Sequence, residues 1–176
     1  AKAGYFKPMD MEWAKDGRSG ELFIVQARPE TVQSLKDRNV LKEYLLQQKG
    51  EIIIQGNSVG SLIGRGSANI IKDVQNIHDF KRGEVLVTDM TDPDWEPVMK
   101  SAAGIVTNRG GRTCHAAIIS RELGIPCIVG TNNATESILH GEGITVDCSH
   151  GAIGRVYRGL LDYEVKETRL DSLPKT

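Results

Sequence analysis

The stretch GGRTCHAAIISRELGIPCIVG, residues 110–130, constrains the fold more than any other part of the chain. Gly110-Gly111 permits a sharp turn through positive φ, and Thr113 stands where a helix N-cap is wanted. The run CHAAIISREL then reads as one helix, stopped by Gly124 and Pro126 ahead of the short apolar run CIVG. Turn, helix and strand in that order need further strands to pack against. The sequence supplies them: EIIIQG, EVLVTD, GIVTN, ITVDC and GRVY alternate with turns between Glu51 and Arg158. The fold class expected over 51–158 is therefore mixed α/β. A second helix is expected over PDWEPVMKSA, with Asp92 or Asp94 as its cap and proline at an early position.

The flanks read differently. Residues 8–30 hold two apolar runs, MDMEWA and ELFIVQA, around KDGRSG, whose Asp16-Gly17 pair signals a hairpin. A two-stranded ribbon of that size is marginal alone. Residues 31–50 read as a partly helical connector, with Val32, Leu35, Val40, Leu41, Tyr44 and Leu45 at mixed helical spacing. Residues 159–176 turn charged and read as a second connector. The chain opens without Met and both edges look cut, as in a fragment of a longer protein.

With 22 Lys+Arg against 23 Asp+Glu in 176 residues, the chain has no basic footprint for nucleic acid. No apolar run approaches the roughly 18 residues of a membrane span, so a cytoplasmic protein is expected. Cys114, Cys127 and Cys148 are odd in number and lack C-x-x-C spacing, which predicts reduced thiols rather than disulfides or a zinc knuckle. Gly60, Gly64 and Gly66 miss both the dinucleotide and the P-loop patterns and read as turns between strands. Asp89, Asp92, Asp94 and Glu96 miss the calcium-loop register and read as helix caps and loop ligands. His78, His140 and His150 lie in polar turns and read as solvated.

His115 falls in the first turn of the helix, where unpaired N–H groups and the positive end of the helix dipole favour a phosphate. Arg109 and Arg112 add positive charge nearby. Neutral imidazole is a good nucleophile toward phosphorus, so the spacing fits a histidine that accepts a phosphoryl group. It also fits a structural histidine after an ordinary turn. A metal site fits poorly, because no second ligand stands three or four residues away. A dyad with Cys114 fits poorly too, because helix neighbours point apart.

The run Gly110-Gly111-Arg112-Thr113-Cys114-His115-Ala116-Ala117-Ile118-Ile119-Ser120-Arg121, continuing through Pro126, resembles the active-site signature of the phosphoenolpyruvate-utilising enzymes. In that family the histidine carries the phosphoryl group. The longer run GEVLVTDMTDPDWEPVMKSAAGIVTNRGGRTCHAA is more similar to members in which water, rather than phosphate, accepts the terminal group of ATP. Pyruvate phosphate dikinases usually carry another residue at the position of Arg112. The resemblance implies a swivelling β/β/α phosphohistidine domain at 51–158, preceded by a small β ribbon, residues 1–30, from the end of an ATP-grasp domain. On that resemblance Glu12 would bind Mg²⁺, Gln26 would lie in the same Mg-nucleotide site, and Arg28 would contact the triphosphate.

His115, supported by Gly110, Gly111, Arg112 and Thr113, would take its phosphoryl group from ATP and give it to pyruvate, a gluconeogenic step. The connectors at 31–50 and 159–176 would let the domain travel between a nucleotide site and a pyruvate barrel, neither complete in this chain. Overall turnover by the fragment alone is not expected, nor is Mg²⁺ or another cofactor bound to it. The resemblance also implies that a regulatory kinase/phosphorylase modifies Thr113. Two other readings stand beside this one: a pyruvate phosphate dikinase carrier, and a noncatalytic phosphoacceptor or docking module. The ribbon at 8–30 argues against the latter. It also fits poorly with the first enzyme of the sugar-transport phosphotransferase system.

Overall fold

A computed structural model describes residues 9–29 and 40–169 of the chain. It divides into two units, Ala1–Arg38 and Asn39–Thr176. In the first, β1 (Met9–Lys15) and β2 (Leu22–Pro29) pair antiparallel, as the hairpin signal predicts. Asp16 shapes the connection by accepting from the Arg18 backbone N–H at 2.7 Å, and Gly20 supplies the positive φ of +76°. Trp13, Phe23 and Ile24 lie exposed on this ribbon.

The second unit runs β3 (Val40–Leu46), β4 (Ile52–Val59), β5 (Ile63–Ile70), β6 (Val85–Thr88), α1 (Glu96–Met99), β7 (Gly104–Thr107), α2 (His115–Leu123), β8 (Cys127–Val129), α3 (Ala134–Ser137), β9 (Gly143–Asp147), β10 (Ile153–Arg158) and β11 (Tyr163–Arg169). Seven strands close a barrel in the order β10-β4-β8-β7-β6-β5-β9, with β5 to β8 mutually parallel. The sequences of β6, β7 and β8 are unbroken apolar or β-branched runs because both faces are covered. Val85, Val87, Val106 and Ile128 face one buried cluster with Ile138 and Ile144. Leu86, Ile105, Cys127 and Val129 face the other, where α2 lays down Ala116 and Ala117 beside Trp95 and Met99.

Several expectations change here. Residues 40–46, read as part of a helical connector, form a strand that pairs antiparallel with β11, inside the stretch read as the second connector. Cross-strand partners account for it: Lys42 pairs with Glu167 at 2.8 Å, and the rings of Tyr44 and Tyr163 lie 5.9 Å apart. Residues 31–39 of that predicted connector lie outside the described residues, and 47–50 form the link from β3 to β4. Gly64 and Gly66 sit inside β5 rather than in turns, because a Cβ at either would collide with the backbone carbonyl of Ala103 or Gly83. Gly60, with φ +83°, is in the turn as expected.

The second predicted helix is present as a 3-10 turn, Pro93–Trp95, running into α1. Asp92 caps it, accepting from the Asp94 N–H at 2.9 Å. The three cysteines are free thiols. His140 and His150 are exposed yet bonded: His140 Nδ1 accepts from the Ile70 N–H, and His150 lies 2.8 Å from the Ser149 hydroxyl. Among the described residues no helix is long and apolar enough to cross a membrane.

Candidate phosphoryl-carrier site

Because β6, β7 and β8 are adjacent and parallel, the loops that leave their C-terminal ends meet at one edge of the barrel. They are tied to one another in register. Asn108 and Arg109 donate backbone N–H groups to the Thr88 and Asp89 carbonyls, while Thr131 and Asn132 donate to Thr107 and Asn108. Two glycines let these loops approach. Gly110 has φ +112°, and a Cβ there would stand 2.8 Å from Cys114 Sγ. A Cβ on Gly130 would stand 2.8 Å from the Gly110 carbonyl oxygen.

His115 is the first residue of α2, within the first turn as the sequence predicts, and Gly124 ends the helix with φ +70°. The N-cap is Cys114 and not Thr113, a correction with a simple cause. The Cys114 N–H donates to the Gly111 carbonyl at 3.0 Å, which closes a turn over 111–114 and leaves Thr113 exposed on it. Cys114 makes no side-chain capping bond, so no cap side chain occupies the first-turn N–H groups. The imidazole is half-buried. Its Nδ1 lies 3.2 Å from Thr91 Oγ1, contributed by the β6 loop, and Thr91 is only 7% exposed. Nδ1 is thereby engaged, and Nε2 is the nitrogen left to offer a reacting group.

The two arginines expected beside His115 have protein partners. Arg109 pairs with Asp89 at 2.9 Å across an exposed surface, and Arg112 donates to the Ala152 carbonyl at 3.0 Å. Asp89 therefore acts as a loop ligand, in keeping with its predicted class. Two residues at this edge, Thr91 and Asn108, carry no sequence signal of a role. With Asp89 they reach the site only through strand order, from segments separated along the chain. Asn108 spends its whole amide here, donating to Asp89 Oδ1 at 3.3 Å and Thr135 Oγ1 at 2.8 Å and accepting from the Thr135 N–H.

On the ribbon, the β1–β2 register sets Glu12 opposite Gln26 and Asp10 opposite Arg28. Glu12 is exposed there. Among the described residues no group of three or more His, Cys, Asp or Glu is placed to hold a metal ion.

Two family models match separate parts of the chain. Residues 80–151 match the model of the mobile domain of PEP-utilising enzymes. Residues 2–48 match that of the pyruvate phosphate dikinase AMP/ATP-binding domain. The chain is 59% identical to a phosphoenolpyruvate synthase of Synechocystis over 98% of its own length, and 57% identical to one of Aquifex aeolicus over 99%. It is 55% identical to one of Escherichia coli over 97%. It spans about a fifth of these relatives, 21% of each.

Proposed function

The chain belongs to the phosphoenolpyruvate-utilising enzymes, and from that premise we propose that it is the phosphoryl-carrying segment of a pyruvate, water dikinase. The observation that carries the reading is His115 itself, at the open start of α2 with Nδ1 held by Thr91. For Nε2 to act as nucleophile its lone pair must be free, which requires the neutral tautomer with hydrogen on Nδ1. Thr91 Oγ1, a hydroxyl that can donate or accept, is placed to accept from Nδ1–H, and that bond strengthens as the ring gains positive charge on phosphorylation. Nε2 attacks the β-phosphorus of ATP and the bond to the AMP oxygen breaks. Water removes the terminal phosphate, and the remaining phosphoryl group passes from Nε2 to the enolate oxygen of pyruvate. The helix start favours the charged phosphohistidine throughout.

Two substrates require two sites, and the domain boundaries proposed for this chain follow from that. Residues 51–158 form the swivelling phosphohistidine body, 1–30 close an ATP-grasp domain, and 31–50 with 159–176 connect them to neighbours. Pairing of β3 with β11 supports treating the inner parts of both connectors as one ribbon. On the ATP-grasp remnant, the carboxylate of Glu12 and the amide oxygen of Gln26 are hard donors on facing register positions, which suits Mg²⁺. They are two ligands of the six Mg²⁺ takes, so nucleotide phosphates and water would supply the rest. Bound there, Mg²⁺ would offset phosphate charge, and Arg28 would contact the triphosphate. The exposed turn position of Thr113 supports its modification by a regulatory kinase/phosphorylase, since a phosphate there would repel an incoming phosphoryl group. A cytoplasmic setting accords with these soluble substrates.

The test is incubation of the full-length enzyme with labelled phosphoenolpyruvate and Mg²⁺, followed by peptide mapping. Acid-labile label on the His115 peptide, absent in His115→Asn, is the expected result. No label on a folded enzyme would overturn the reading in favour of a docking module. AMP formation that needs inorganic phosphate rather than water would instead indicate a dikinase of the phosphate-using type.

A further inference from the structure

The Thr91–His115 contact depends on where the β6 loop is held, and that loop has two anchors. On its far side Asp92 caps the 3-10 turn and Trp95 is buried. On its near side there is Asp89, whose carboxylate is divided between two donors. Oδ1 accepts from Asn108 Nδ2 at 3.3 Å, and Oδ2 accepts from Arg109 at 2.9 Å. Both donors belong to the β7 loop, immediately before the Gly110-Gly111 turn that delivers His115. One carboxylate thus ties the strand end that positions Thr91 to the strand end that positions the imidazole.

We propose that Asp89 is a positioning residue for the phosphoryl-carrier histidine, joining the β6 and β7 loops so that Thr91 Oγ1 meets His115 Nδ1 and Nε2 is presented unprotonated. The inference rests on the carrier function proposed above. Asp89 touches neither the phosphoryl group nor the ring; it acts through Thr91 and the Gly-Gly turn. Its side chain is 41% exposed, so its bond to Arg109 contributes little to stability and much of its effect is geometric. The bond from the Arg109 N–H to the Asp89 carbonyl is backbone only, so a side-chain replacement is expected to leave it and the barrel in place.

Asp89→Asn tests this, being isosteric at a partly exposed site and unable to accept from Arg109 through its amide nitrogen. In the full-length enzyme, phosphorylation of His115 from labelled phosphoenolpyruvate is expected to slow by about tenfold to a hundredfold, the range of a small misplacement. Asp89→Glu, which restores the carboxylate, is expected to recover most of the rate. In the ¹⁵N-labelled 176-residue chain, the His115 imidazole shifts are expected to move from the Nδ1–H pattern toward the tautomer mixture of free imidazole. A merely structural role would leave that pattern unchanged. The proposal is overturned if Asp89→Asn keeps either the wild-type labelling rate or the wild-type tautomer. Absence of label in the wild-type enzyme would instead sink the carrier reading, so the two failures are distinguishable.

Discussion

Thr91→Val probes the site most directly, because it exchanges a hydroxyl for a methyl group of the same shape at a position 7% exposed. Among the described residues that hydroxyl has one polar contact, His115 Nδ1 at 3.2 Å. In the productive tautomer Nδ1–H then loses its acceptor. An unsatisfied buried donor costs about 1–3 kcal/mol, and because the ring is half-buried, water recovers part of this, which leaves about 1–2 kcal/mol. The bond strengthens as the ring gains positive charge on phosphorylation, when Nδ1 must carry hydrogen, so its loss converts to a rate loss of roughly 5- to 30-fold. Rapid-quench measurement of acid-labile label on His115 in the full-length enzyme reads it. Thr91→Ser, which keeps the oxygen, should stay within about threefold, or some 0.7 kcal/mol. The melting temperature should move by no more than a few degrees, since about 1 kcal/mol shifts a domain of this size by roughly 2–4 °C. A Thr91→Val enzyme that labels at the wild-type rate would refute the reasoning. So would one as inert as His115→Asn, because a positioning bond cannot abolish the nucleophile.

Gly110→Ala combines a φ of +112° with a Cβ 2.8 Å from Cys114 Sγ, so a stability loss of about 1–3 kcal/mol and impaired labelling are expected by urea denaturation and rapid quench. Gly64→Ala should fail to give soluble barrel, because its Cβ meets the Ala103 backbone and nothing flexible can yield; recovery of a cooperative melt would disprove the clash. Burial pushes the Cys127 thiol well above its ordinary value of 9.0, so the unfolded chain releases that proton first as pH rises. Stability should therefore fall as pH climbs through 9, with Tyr157 and Cys148, also raised by burial, acting in the same direction. Urea midpoints at several pH values should show that slope, and Cys127→Ala should flatten it. Thr113→Glu should depress turnover of the complete enzyme while its melt stays wild type, and unchanged turnover would remove the regulatory reading.

What could be read from the chain was whatever short-range chemistry decides. Gly-Gly, a nine-residue helix and Gly124 specify a turn, an α2 and a left-handed stop without outside help, and His115 falls at the helix start by counting alone. VLVT, GIVT and CIV declare strands covered on both faces. Residues 40–46 carried an ambiguous pattern, and a partner more than a hundred residues away settled it as a strand, since Val40 pairs with Arg169 and Leu46 with Tyr163. Thr113 was a sound N-cap by residue type, yet the turn closed by Gly111 moved the cap one residue on.

Thr91 and Asn108, and the link of Asp89 to the histidine, were invisible for a different reason. Nothing in TDMTD or TNRGG requires a hydrogen bond to a histidine; the requirement comes from β6 and β7 being neighbours with the same direction. A helix start attracts phosphate wherever it occurs, but a nucleophile also needs its proton on the correct nitrogen. The group placed to accept that proton is a side chain 24 residues upstream of His115, brought in by strand order. On the proposed function the motif points to the residue that carries the chemistry, and the barrel's parallel edge, by engaging Nδ1, leaves Nε2 as the nitrogen to perform it.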